Sequence, residues 1–142
     1  MRSAMGLIAG PDNPPVMFVS PGLRVSESIA MARNVLTRLT ASAYALIYPS
    51  FFEGFGVPVL EAMECEVPVI TSTGSSMQEI AGDAALYADP GNYIELADKM
   101  MHLYKDEMLR ASLLQKASTV VSQYTWDKTA RLLWQAIQKA IV

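Results

Sequence analysis

A chain of 142 residues, 51% hydrophobic and only 18% charged, has material for one hydrophobic core, which excludes two full domains and disorder over the whole length. Eleven basic residues against fourteen acidic ones leave a net charge of −3, so no basic field exists to hold a phosphate backbone and nucleic acid is excluded as a partner. One cysteine, Cys65, and one histidine, His102, cannot form an internal disulfide or a Cys/His metal site; both read as ordinary helix residues, and no metal is expected.

In chain order, Met1 to Gly10 lacks a signal-peptide core, and no apolar run approaches the 18 or more residues of a membrane span. A cytoplasmic protein without a transmembrane segment is expected, peripheral membrane contact being left open. Short apolar runs at 7–9, 16–19, 45–48, 67–71 and 85–87 have strand length, as in a parallel sheet covered on both faces. The first 25 residues are rich in Pro and Gly, at Pro11, Pro14, Pro15, Pro21 and Gly22. Ile29, Ala32, Leu36, Leu39 and Ala43 then recur at helical spacing, behind Ser26 as N-cap and Glu27 in the first turn.

Beyond Pro90-Gly91 the pattern is wholly helical: a stripe of Ile94, Ala97, Met101 and Tyr104, then one of Leu109, Leu113, Ala117 and Val120. Tyr124, Thr125 and Trp126 interrupt it. Thr125 can cap a last helix, 129–141, whose apolar residues Leu132, Leu133, Ala136, Ile137 and Ala140 exceed what a five-stranded unit needs. The fold class is therefore α/β: a Rossmann-like, doubly wound parallel sheet of about five strands with C-terminal helices.

The segment that carries chemistry runs from Tyr48 to Met63, out of a strand, through a loop with Gly54 and Gly56, and into a helix with Pro58 in its first turn, read as position N1. N–H groups following that proline lie free at a sheet edge where ligands bind in open α/β folds, and an anion is favoured there. Gly54 and Gly56 allow close backbone approach or positive φ. Glu53 and Glu61 flank the turn; a bland reading of each, solvation or helix-dipole compensation, competes with a functional one. A carboxylate that accepts two hydroxyl hydrogen bonds, next to anion-seeking N–H groups, suits a nucleotide diphosphate with a ribose. Neither G-x-G-x-x-G after the first strand nor a P-loop is present.

Tyr48-Pro49-Ser50, Glu53-Gly54-Phe55-Gly56, Pro58, Leu60-Glu61-Ala62-Met63, Pro68 to Ser72, Glu79 to Ala85 and Asp89-Pro90 resemble the C-terminal lobe of retaining, nucleotide-sugar-dependent group 1 glycosyltransferases of the two-lobed GT-B type. The resemblance runs well over 39–126 and poorly over 1–38, with 127–142 as a closing helix, so that 1–142 reads as a single nucleotide-sugar-binding lobe. It implies transfer of a sugar, with retention, from a nucleotide diphosphate sugar that serves as substrate, with no separate cofactor and no metal. It also implies that Glu53 meets the donor sugar and is the catalytic candidate, and that Glu61 holds the ribose hydroxyls. Gly54, Phe55, Gly56 and Val57 then face the sugar and distal phosphate, Leu60 lies near the diphosphate, and Glu79 is structural.

Two departures stand out. The family's phosphate-clamping Arg and Lys have no counterpart, since Arg2 and Arg24 stand in the wrong context, and the acceptor-binding N-terminal lobe is missing. A fragment, a truncated gene product or one part of a split enzyme is therefore expected, inactive or nearly so alone and partnered by a separate N-terminal lobe or by itself. The alternative is a non-catalytic interaction module derived from that lobe, docking through its terminal helix and the Leu36-Leu39 face.

Overall fold

The computed structural model describes residues 6–10, 13–18 and 36–141. Five strands form one sheet in the order β1-β2-β3-β4-β5: β1 Gly6–Gly10, β2 Asn13–Phe18, β3 Leu46–Tyr48, β4 Val69–Ser72 and β5 Ala85–Ala88. Strands β2 to β5 run parallel. The first departs from the all-parallel expectation, because β1 pairs antiparallel with β2. Only two residues separate Gly10 from Asn13, and a parallel return needs a crossover of about a dozen or more. The opening of the helix predicted from Ser26, together with Val19, Arg2 and Arg24, lies outside the described residues; that helix ends as α1 at 36–41.

Strand β4 is buried at all four positions, paired with β3 through Leu46↔Val69, Ile47↔Ile70 and Tyr48↔Thr71 and with β5 on its other edge. Alternation along the strands sends side chains to two cores. On one face Leu46, Tyr48 and Val69 pack with Val59, Ala62 and Met63 of α2 (Val57–Glu64), Met77 and Ala81 of α3 (Ser76–Ala81) and Ala117 of α5 (Glu107–Val121). On the other, Ala45, Ile47 and Ile70 meet Leu103 of α4 (Tyr93–Lys105) and Leu113 of α5. The sheet is thus covered on both faces, and each large aliphatic side chain so buried contributes about 1.5–3 kcal/mol.

The stripe predicted on α4 has the right period and the wrong phase. Ile94, Ala97, Met101 and Tyr104 are exposed, whereas Leu103 is buried and Leu96 and Met100 pack beside it. The residues one step away repeat at the same spacing, and packing of Leu96, Met100 and Leu103 into the core decides which face turns inward, while Asn92 caps the helix by accepting from the Glu95 N–H. The α5 stripe is as predicted at Leu113 and Ala117, with Leu109 and Val120 partly buried. A break at Asp106, which caps α5 by accepting from the Leu109 N–H, separates the two helices. The last helix, α6 (Trp126–Ala140), begins three residues earlier than expected, with Thr125 Oγ1 accepting from the Lys128 N–H, and it has no buried residue.

Candidate functional site

Strand β3 delivers the chain to the C-terminal edge of the sheet, where the loop 49–56 leads into α2. Three hydroxyls shape that loop. Thr71 on β4 donates to the Tyr48 carbonyl at 2.9 Å, which ties the strand end to its neighbour. Ser76, opening α3, has its Oγ 2.7 Å from the Glu53 carbonyl and 2.8 Å from that of Phe55, so one proton is shared between two turns of the loop. Ser50, 98% buried by its 2% residual exposure, lies 3.2 Å from the Phe52 carbonyl and 3.1 Å from Glu53 Oε1.

The Glu53 carboxylate is held as well. Tyr48 donates to the same Oε1 at 2.7 Å. Burial, followed by the hydrogen bond and the charge of Glu53, pushes the Tyr48 phenol above the ordinary tyrosine range, so it stays a donor at any physiological pH. Oε2 has no partner among the described residues and remains available to a hydroxyl.

The two glycines of the loop divide in role. Gly56 is buried with φ 129°, a conformation that favours glycine, and a Cβ there would stand 3.0 Å from Met77 Cγ. Gly54 is exposed, has no positive φ, and a Cβ added to it would meet nothing within 4 Å. Pro58 is the second residue of α2, with Val57 before it and Gly56 as N-cap. The donors expected after the proline are spent: the Val59 N–H donates to the Gly56 carbonyl at 3.0 Å, as does that of Leu60 at 3.5 Å. The unspent ones lie before it. Gly54, Phe55, Gly56 and Val57 make no backbone hydrogen bond through N–H among the described residues. Ser72, at the same sheet edge on β4, has a buried Oγ without a partner among them.

Glu61 takes no part in these hydrogen bonds. Half-buried on α2, it borders a cleft of about 310 Å³ with Leu36, Thr37 and Thr40 of α1 and with Glu64 and Cys65. Burial is the largest of the causes that push the Cys65 thiol up, ahead of the charges of Glu64 and Glu61. Leu60 is partly buried on α2. Glu79 is exposed in the first turn of α3 and belongs to neither the loop cluster nor the cleft. Sequence reasoning missed Ser76 and the hydroxyl pair on Glu53. Their only signal was the presence of Tyr48 and Ser50 three to five positions ahead of the carboxylate.

The molecule is an α/β protein whose sheet is covered on both faces, with unspent N–H groups and an oriented carboxylate at its C-terminal edge, where ligands bind in open α/β folds. The family model described as glycosyl transferases group 1 matches residues 28–120. The chain belongs to that family. It is 47% identical over 108 residues to the O-antigen chain mannosyltransferase RfbU of Salmonella typhimurium, covering 75% of this chain and 30% of that protein. It is 38% identical over 92 residues to O-antigen chain mannosyltransferase B of Escherichia coli, covering 65% and 24%. The chain therefore spans less than a third of the length of these curated relatives. The fold resembles sucrose-phosphate synthase from Thermosynechococcus elongatus, with a TM-score of 0.66 at 19% identity over 87% of this chain and 37% of that one. It also resembles WaaG, a glycosyltransferase involved in lipopolysaccharide biosynthesis, with 0.57 at 22% identity over 65% and 26%. Together the neighbours establish the sheet and its helices as part of a GT-B fold. No helix among the described residues is long and apolar enough to cross a membrane.

Proposed function

We propose that this chain forms the donor-binding part of a retaining glycosyltransferase that transfers a sugar from a nucleotide diphosphate sugar. The observation that carries the reading is the run of four unspent N–H groups, Gly54 to Val57, directly after a carboxylate whose Oε2 is free. In this reading Glu53 accepts hydroxyl hydrogen bonds from the donor sugar, and the N–H groups face the sugar and distal phosphate. Leu60 lies near the diphosphate, and Glu61, at the mouth of its cleft, accepts from the ribose hydroxyls. As the glycosidic bond breaks, negative charge grows on the leaving diphosphate. Donors already fixed in place stabilise that charge without reorganising, an effect that is usually the largest in catalysis.

The names of the two O-antigen relatives favour mannose as the sugar. The reading takes the nucleotide sugar as substrate, with no separate cofactor, and places the protein in the cytoplasm. Transfer requires a further lobe to bind the acceptor and supply the phosphate-neutralising cations, so the 142-residue chain binds donor and turns over little or nothing alone. Calorimetric titration with ADP, GDP, UDP and their sugar esters tests this. One nucleotide series binds at up to millimolar concentration and Glu61→Ala weakens it about tenfold or more, as expected for loss of hydrogen bonds to a charged acceptor. Silence across the whole panel removes the reading.

A second reading, a non-catalytic interaction module, has one observation in its favour: α6 buries none of its residues, leaving Leu132, Leu133 and Ile137 exposed. Sedimentation decides its self-association form, which a strictly monomeric chain excludes.

A further inference from the structure

Glu53 is held by two side chains that bring no group of their own to a ligand. We propose that Tyr48 and Ser50 are positioning residues for the sugar-binding carboxylate, their hydroxyls engaging Oε1 of Glu53 so that Oε2 alone is presented to the hydroxyls of the donor sugar. The inference rests on the reading of Glu53 given above and adds a determinant of sugar affinity behind the carboxylate.

A glutamate side chain in a loop has three rotatable bonds, and ordering it when sugar binds costs conformational entropy. Here the ordering is done beforehand. Tyr48 is 95% buried by its 5% residual exposure, with its ring in the α2 side of the core, so its hydroxyl cannot follow a moving carboxylate. Its backbone is tied to β4 through Thr71. Ser50 is equally fixed by burial, although its proton is divided between Glu53 Oε1 and the Phe52 carbonyl. The Glu53 backbone is pinned from the other side by Ser76. Both ends of the glutamate are therefore anchored, to the strand on one side and to α3 on the other. Two hydroxyl donors on one oxygen leave the second as the acceptor for a ligand hydroxyl.

The test uses the full 142-residue chain and compares each nucleoside diphosphate with its sugar ester, GDP with GDP-mannose and UDP with UDP-glucose. The ratio of the two affinities isolates what the sugar contributes. Tyr48→Phe keeps the ring and removes only the donor. It is expected to lower that ratio about three- to tenfold, the range for one net hydrogen bond, while leaving the affinity for the bare diphosphate unchanged. Added to Glu53→Gln it should produce no further loss, because both act through one carboxylate. Equal weakening of diphosphate and sugar ester, an unchanged ratio, or full additivity with Glu53→Gln overturns the positioning role and leaves Glu53 in place. If Glu53→Gln itself leaves the ratio untouched, or no donor binds the unmodified chain, the reading of Glu53 fails and the positioning role falls with it. Should Tyr48→Phe not fold, Ser50→Ala makes the same comparison with a smaller loss, and Ser50→Thr, which keeps a hydroxyl, restores the ratio.

Discussion

Helices α2 and α6 invite comparison because their local signals and their burial are opposed. The eight-residue α2 has no side-chain cap, a glycine at its N-cap and a proline in its first turn, yet Val59 and Ala62 have no exposed surface and Met63 very little. The fifteen-residue α6 has a Thr125 cap, Asp127 in its first turn and Lys139 in its last, and buries nothing. Caps and dipole complements are enough to form a helix on paper, but they do not place it against anything. The candidate site hangs on the helix with the poorer local signals, because packing fixes its position to the strand ends.

The most severe way to break this contrast is to compare a core substitution with removal of α6 outright. Ile70 is fully buried on β4, a strand paired on both edges, and Ile70→Ala is expected to cost about 2–5 kcal/mol, through lost transfer energy and the cavity left behind. Truncation after Thr125 removes the whole of α6, yet should change unfolding free energy by no more than about 0.5 kcal/mol, the scale of surface changes. Urea denaturation of both variants checks the pair. A truncation as costly as Ile70→Ala would mean that α6 is packed in solution.

A smaller effect separates the two loop glycines. Gly56→Ala places a Cβ against Met77 Cγ in a backbone conformation that L-residues rarely adopt. The expected cost is about 1–3 kcal/mol, together with weaker donor binding as the loop shifts. Gly54→Ala should be neutral for folding within about 0.5 kcal/mol, because nothing lies near its Cβ. If Gly54→Ala nonetheless weakens donor binding, the space beside it is needed by ligand and not by protein.

Much of this was legible in the sequence, and the failures have physical causes. Strands β3 to β5 were found within two residues at either end, since continuous apolar runs between turn residues leave few alternatives. Strands β1 and β2 were also read, at 7–9 and 16–19, but not their antiparallel pairing or the start of β2 at Asn13, because Pro14 and Pro15 lack ladder donors. In the structure they lie inside β2, where the pairing with β1 shifts register between Ile8 and Gly10. The α4 phase was undecidable from periodicity, as two adjacent stripes are both apolar. Glu53 could be singled out by its place beside the glycine loop and by the resemblance to the group 1 family, which the motifs from Tyr48 to Pro90 carry. The devices that hold Glu53 could not: Ser76 lies 23 residues downstream and reaches the loop only after β4 has crossed beside β3.

The smallest expected effect concerns a contact of the exposed kind inside the packed half. Lys116 on α5 meets Asp83, in the turn after α3, at 3.0 Å, and both side chains are well exposed. The hydrogen bond and charge of Lys116 hold the Asp83 carboxyl below its usual range. A folded-state pKa lowered in this way gives a stabilisation that is present above the unfolded carboxylate value, about 3.9, and is lost as pH falls through the lowered one. Asp83→Asn should therefore be less stable than the parent at neutral pH, by the small amount typical of exposed pairs. The gap should close on acidification, and it should also narrow in high salt, which screens such a pair. Urea midpoints at about pH 7 and about pH 2, each at low and high salt, decide it. A gap that persists undiminished in acid would show that Asp83 acts there through its backbone turn and not through its charge.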